Sequence, residues 1–175
     1  MEVQYEQLGL VTELYCKSAL SSHGLDRIVR WVAPAIKHRQ IKFAFDDAGV
    51  PVAYWAWAWL AEDVEQRVIS DPNVNLHLSE WNEGLNLWIV DMVVINGYLT
   101  DVVRHLHSVQ FPDATSVYWV RRRPNGLIRS LSTWRRKNTP SAAASSGHQL
   151  IYRLPDTAFA DSKTVWRSAF DYPKE

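Results

Sequence analysis

Two side chains in this sequence are placed to move a proton. Asp91 interrupts the apolar run LNLWIVDMVVI at residues 85–95, the strongest strand signal in the chain. If that run alternates regularly, Asp91 shares a face with Leu87, Ile89 and Val93, among aliphatic neighbours. An unpaired carboxylate there would cost several kcal/mol, so Asp91 needs a cation or hydrogen-bond donors, or it takes up a proton. A carboxylate beside an imidazole is the usual device for orienting a general base, whereas a buried aspartate held by backbone amides or an arginine is a structural element. Both readings stay open on spacing alone. His23 lies in the polar break KSALSSHG, where an imidazole can reach solvent and a substrate.

The other histidines have weaker patterns. His105 and His107 are two apart in a helical stretch and therefore point to different faces, unlike a metal-binding pair at spacing four. His38, His77 and His148 have no companions at ligand spacing, and Cys16 is the only cysteine. A metal site and a disulfide are not expected. Gly97 follows Asn96 between the 85–95 strand and a helix, a place where backbone amides can face an anionic or carbonyl oxygen.

The elements that carry these residues follow from periodicity. Residues 4–16 and 25–37 read as helices, the second with Leu25, Ile28, Val29, Val32 and Ile36 on one face and a kink or end at Pro34. Residues 41–45, the turn DDAG and the run VPVAYWAWAWL make a hairpin. Its second strand sets Trp55, Trp57 and Trp59 on one face and Tyr54, Ala56 and Ala58 on the other. Residues 61–70 form a short acidic helix, 71–84 are irregular, and 85–95 make a central strand. A helix over about 99–110 carries Leu99, Val102, Val103, Leu106 and Val109 on one stripe. TSVYWVRRR, the turn PNG and LIRSLST form a second hairpin. RRKNTPSAAASSG has linker composition, and HQLIYRL reads as a last strand. The class is α/β or α+β, one domain with a mixed sheet flanked by helices.

Composition narrows the function. The 175 residues are 47% hydrophobic and 22% charged, with zero net charge, as in an ordinary globular protein. No apolar run reaches the length of a membrane span, and the start MEVQYEQLGL lacks the basic residues of a signal peptide, so a cytoplasmic protein is expected. The neutrality hides a split: residues 1–114 hold 8 Lys/Arg against 15 Asp/Glu, and residues 115–175 hold 11 against 4. Arg121, Arg122, Arg123, Arg129, Arg135, Arg136 and Lys137 lie in one stretch without an acid, which favours an anionic partner.

Several segments together resemble a known family. VAPAIKHRQIKFAFDDAGVPVAYWAWAWL, Trp81, LNLWIVDMVVINGYLTDVVRHL and the FPDA that follows are similar to the RTX toxin-activating lysine acyltransferases, typified by HlyC and CyaC. The shared features are Pro34 to Ile36, the PVAY-x-x-WA strand from Pro51 to Ala58, the W-x-x-D strand from Trp88 to Asp91, and Gly97. They extend over roughly residues 5 to 130. The resemblance implies a GNAT-like fold and transfer of a fatty acyl group from acyl carrier protein to internal lysine ε-amino groups of an RTX protoxin. It also implies a catalytic histidine in the loop after the first helix and a catalytic aspartate in the W-x-x-D strand, by position His23 and Asp91. Where the family has Ser-Pro-x-His-Arg, this chain has Ala19, Leu20, Ser21, Ser22, His23 and Gly24.

No cofactor is expected to be bound permanently; the donor is the acyl-phosphopantetheine of acyl carrier protein. The closely spaced glycines of a coenzyme A pyrophosphate loop are absent after Asp91, in keeping with that donor. Gly97, Arg121, Arg122, Arg123, Arg135 and Arg136 are the expected donor-binding residues, because acyl carrier protein is acidic. Residues 1–155 would form the acyltransferase domain and 156–175 a loosely packed tail. Nucleic acid is not an expected partner, and a homodimer is compatible with the sequence. The rival reading is a nucleic-acid or protein binding module built from the basic 121–137 stretch and the tryptophans.

Overall fold

The computed structural model describes residues 2–18, 25–71, 73–122, 128–135 and 164–168. Its elements are α1 (Glu2–Lys17), a wide helical turn at Ile28–Val32, α2 (Ala33–His38), β1 (Ile41–Asp46), β2 (Pro51–Leu60) and α3 (Glu62–Ser70). A short 3₁₀ turn at Leu78–Trp81, β3 (Asn86–Val94), α4 (Leu99–His105), a second wide turn at Leu106–Gln110, β4 (Ser116–Arg122), β5 (Ile128–Arg135) and β6 (Thr164–Ser168) follow. The sheet runs β5-β4-β3-β2-β1-β6, with β3 and β4 parallel and the β1–β2, β4–β5 and β1–β6 pairs antiparallel. This is the mixed α/β sheet with flanking helices of a GNAT-like protein, and the W-x-x-D strand is one of its two middle strands. Of the expected tail, Thr164–Ser168 pairs with β1 at the sheet edge; the HQLIYRL strand and the 136–147 linker lie outside the described residues.

The fold gathers into two compact units: Met1–Trp57 with Val90–Pro112 and Ala158–Glu175, and Ala58–Ile89 with Asp113–Thr157. In the first, the β1–β2 hairpin closes on Asp46, whose Oδ1 accepts the Ala48 and Val50 amides at 3.0 and 2.8 Å. Gly49 sits there at φ 79, a conformation that glycine takes without a Cβ clash. The alternation of β2 then gives two differently filled faces. On the bulky face Trp55 meets His105 at 5.6 Å and Trp57 meets Phe111 at 5.5 Å between ring centroids. On the other face Tyr54 meets Tyr15 of α1 edge-on at 6.2 Å, so this part of the sheet is covered on both sides. α1 contributes Gln7, Val11 and Leu14, buried at helical spacing.

Two expected helix faces are rotated in the structure. Leu25 and Val29, expected inside, are 77% and 67% exposed, while Trp31, Val32, Ala35 and Ile36 are buried. The wide turn breaks the common face: the Ala33 amide bonds the Ile28 carbonyl five residues back, and the extra residue puts Val32 and Ile36 out of phase with Leu25 before it. Pro34, which has no amide hydrogen to continue the ladder, follows directly and explains why the turn widens there. The same happens before Phe111, whose amide bonds the Leu106 carbonyl. Val109 in that turn faces outward, as does Leu99 at the start of α4, and Val102, His105 and Leu106 form the buried stripe.

Burial holds His105 neutral. Its pKa falls to about 4, from burial first and the Lys42 charge second. The unfolded chain would bind a proton below about pH 6.5, so this contribution to stability is present above that pH and lost as pH falls towards 4. We expect acidification from pH 7.5 to 4.5 to cost the parent about 2–3 kcal/mol through this residue. In His105→Phe, which retains a ring against Trp55, urea midpoints should depend less on pH; equal pH slopes in the two proteins would remove His105 as the cause.

In the second unit Val64 and Val68 of α3 are buried, as are Leu60, Trp81 and Leu87. Glu65 accepts the Trp88 indole N–H and, at 2.8 Å, the Asn86 amide, tying α3 to the start of β3. Trp88 and Tyr118 are register partners on β3 and β4, and their rings stack at 5.4 Å. Gly84 donates its amide to the Trp59 carbonyl at 3.0 Å and lies so close to the chain at Leu60 that a Cβ would be 1.8 Å from that residue's carbonyl oxygen.

Candidate active site

Asp91 is buried as its place in β3 predicts: it is 3% exposed, on the face shared by Leu87, Ile89 and Val93, all buried. Its partners come from three other segments. Tyr54 Oη on β2 donates to Asp91 Oδ2 at 2.6 Å, and Tyr15 Oη on α1 donates to the same oxygen at 3.1 Å. Oδ1 takes an ion pair from Arg27, in the segment leading into the first wide turn. The two phenol oxygens are 3.0 Å apart, so three oxygens share two phenolic protons.

The electrostatics follow from this packing. Burial, then the Asp91 charge, pushes the Tyr15 phenol up to about 12, and the same two causes hold Tyr54 well above its ordinary value. Both phenols therefore stay neutral donors across the working range. Burial opposes the Arg27 charge, but Asp91 beside it outweighs that penalty and raises the guanidinium further. The carboxylate side chain is fully enclosed and the Arg27 side chain is 28% exposed, which makes Arg27 the open side of the cluster.

The requirement that Asp91 have a partner was legible in sequence; Arg27, Tyr54 and Tyr15 were not identified by it. The available signal was the flat face of β2, where Tyr54 is the one polar tip among Ala56 and Ala58. His23 lies outside the described residues. Gly97 adopts φ 99 in the turn from β3 to α4, and the Tyr98 amide beside it bonds the Ile95 carbonyl at 3.3 Å.

Among the described residues of the basic stretch, Arg121 and Arg135 do not share one patch. Arg121 pairs across the hairpin with Ser130, and Arg135 pairs with Ser116. Five residues of strand separate the two positions, about 17 Å. Alternation also sets Arg121 and Arg135, both exposed, on opposite faces of the hairpin. Arg122 lies past a register shift opposite Ile128, while Arg123, Arg136 and Lys137 lie outside the described residues. Of the tryptophans, Trp31, Trp55, Trp81 and Trp88 are buried, which takes them out of any stacking groove. Among the described residues no group of His, Cys, Asp and Glu could hold a metal ion, and no helix is long and apolar enough to cross a membrane.

Comparison with known proteins places these features in context. The model of the RTX toxin acyltransferase family matches residues 2–135. The RTX-II toxin-activating lysine-acyltransferase ApxIIC of Actinobacillus pleuropneumoniae is 30% identical over 109 residues, 62% of this chain and 66% of that protein. The leukotoxin-activating lysine-acyltransferase LktC serotype A11 of Mannheimia haemolytica is 34% identical over 122 residues, 69% and 71% of the two chains. A protein-lysine myristoyltransferase, RtxC of Kingella kingae, is 28% identical over 107 residues, 61% and 63%. The chain thus spans about two thirds of the length of the curated relatives it matches.

Proposed function

Because the chain belongs to the RTX toxin acyltransferase family, we propose that it moves a fatty acyl group from acyl carrier protein to internal lysine ε-amino groups of an RTX-type protoxin. The observation that carries the reading is the family match over residues 2–135, and the cluster at Asp91 is where the site is proposed to lie. Tyr15, eight residues before His23, and Arg27, four after it, both reach that carboxylate. The reading takes His23, four residues before Arg27 in the sequence, as the base that Asp91 supports.

The chemistry then runs as follows. A lysine amine is protonated at neutral pH and must lose a proton before its nitrogen can attack the thioester carbonyl carbon. His23 takes that proton as the C–N bond forms, and Asp91 favours the imidazolium. The tetrahedral oxyanion collapses, the C–S bond breaks, and the imidazolium returns its proton to the leaving phosphopantetheine sulfur. Backbone amides near Gly97 supply donors to the oxyanion. Acyl carrier protein works in the cytoplasm, which is where this reading puts the protein. Residues 1–155 carry the activity, and the 156–175 tail adds β6. The Kingella relative's name makes a myristoyl chain the first donor to try.

Arg121, Arg122, Arg123, Arg135 and Arg136 are the surface proposed to guide the acidic carrier. A single docking footprint uses only one face of the hairpin, so Arg121→Glu and Arg135→Glu should differ. One of them should raise the KM for myristoyl-acyl carrier protein about tenfold at low salt, with kcat nearly unchanged and the effect shrinking as salt rises. The other should be almost silent. If neither matters, or if myristoyl-coenzyme A is the better donor, the carrier assignment fails.

A further inference from the structure

The hydrogen-bond arithmetic at Asp91 has one unfilled place. A carboxylate offers about four lone-pair sites, two on each oxygen. Among the described residues Oδ2 accepts from Tyr54 and Tyr15 and is filled, and Oδ1 accepts from Arg27 alone. By this count one lone pair of Oδ1 has no donor among the described residues, on the side where the Arg27 side chain is partly exposed. Arg27 shows a matching irregularity: its Nε is buried and meets no acceptor among the described residues. A closed structural ion pair would satisfy both groups, and a buried orphan of this kind calls for an explanation.

We infer that Arg27 is a positioning residue for the proposed transfer: it orients Asp91 so that the open lone pair of Oδ1 lies beside the guanidinium, and its positive charge sets the pH range in which the site works. The inference rests on the function proposed above, and it concerns a residue that the sequence did not bring forward. Among the described residues the titratable and charged groups facing the carboxylate are Tyr15 from α1, Arg27 from the segment before the wide turn, and Tyr54 from β2. The two phenols remain neutral across the working range, which leaves Arg27 as the charge that tunes the site. Removing it leaves a more negative site, and a base there should hold its proton to higher pH.

The test is the pH profile of myristoyl transfer from acyl carrier protein to a recombinant RTX protoxin, measured on the full chain. Arg27→Gln should lower kcat about 10- to 100-fold with KM little changed, and move the acid limb up by about one pH unit. Arg27→Lys retains the charge but not the planar fork, so kcat should fall about tenfold with the acid limb in place. If Arg27→Gln does not fold, the lysine variant decides, and parental kcat there overturns the inference. A folded Arg27→Gln protein with the parent's acid limb and kcat overturns it too. Asp91→Asn in the same assay separates the two levels of argument: an inactive Asp91→Asn beside a normal Arg27→Gln sinks only the role of Arg27. A fully active Asp91→Asn sinks the function on which it rests.

Discussion

Asp91→Asn is expected to lower acyl transfer about 10²- to 10⁴-fold, the range that a well-placed acid–base pair contributes. The amide is nearly the same shape but carries no charge to stabilise an imidazolium, and its NH₂ cannot accept from Tyr54 and Tyr15 as Oδ2 does. The variant also leaves the Arg27 guanidinium without its counter-charge in a mostly enclosed site. Breaking such a pair costs about 2–4 kcal/mol, the lower half reflecting the partial exposure of Arg27. Both losses should therefore be seen, and they separate in the assay. Rates are to be measured on protein shown by tryptophan fluorescence to be folded, and unfolding followed in urea. If activity falls only as far as the folded fraction falls, Asp91 is a structural anchor and nothing more.

Gly84→Ala should be the most damaging methyl added at any described glycine. The added Cβ would sit 1.8 Å from the Leu60 carbonyl oxygen and 2.2 Å from the Ala61 nitrogen, and both are backbone atoms with no rotamer to relax into. Relief requires the 82–85 segment or the end of β2 to move, breaking the Gly84–Trp59 hydrogen bond. A cost of at least about 4 kcal/mol is expected, above ordinary overpacking and a large share of a domain's total stability. Little folded protein should be recovered. A Gly84→Ala protein with the parent's urea midpoint would mean that the close approach is not required for folding.

Much of the site's framework was legible because it depends on period. Strand alternation alone put Asp91 on a buried face with Leu87, Ile89 and Val93, and the twofold period of β2 separated the tryptophan face from the Tyr54 face. What escaped depends on single backbone events or on contacts between distant residues. One widened turn before Pro34 was enough to put Leu25 and Val29 out of phase with the buried Val32 and Ile36, because every residue after the turn inherits the shift. The three partners of Asp91 lie 76, 64 and 37 residues away in the chain, and no local pattern marks them as neighbours. A linear count of the seven basic residues between 121 and 137 gives a local field but not the direction of each side chain. The hairpin register instead sends Arg121 and Arg135 to opposite faces. Gly84 carried no signal at all, since its need arises from the approach of Leu60.

The central claim, that this chain acylates lysines with His23 as its base, has one direct test. A recombinant RTX protoxin is incubated with myristoyl-acyl carrier protein and either the parent chain or His23→Ala, and the modified lysines are mapped by mass spectrometry. The account predicts myristoylated internal lysines with the parent and none above background with His23→Ala, the two proteins being equally folded. Equal modification by both proteins would contradict it.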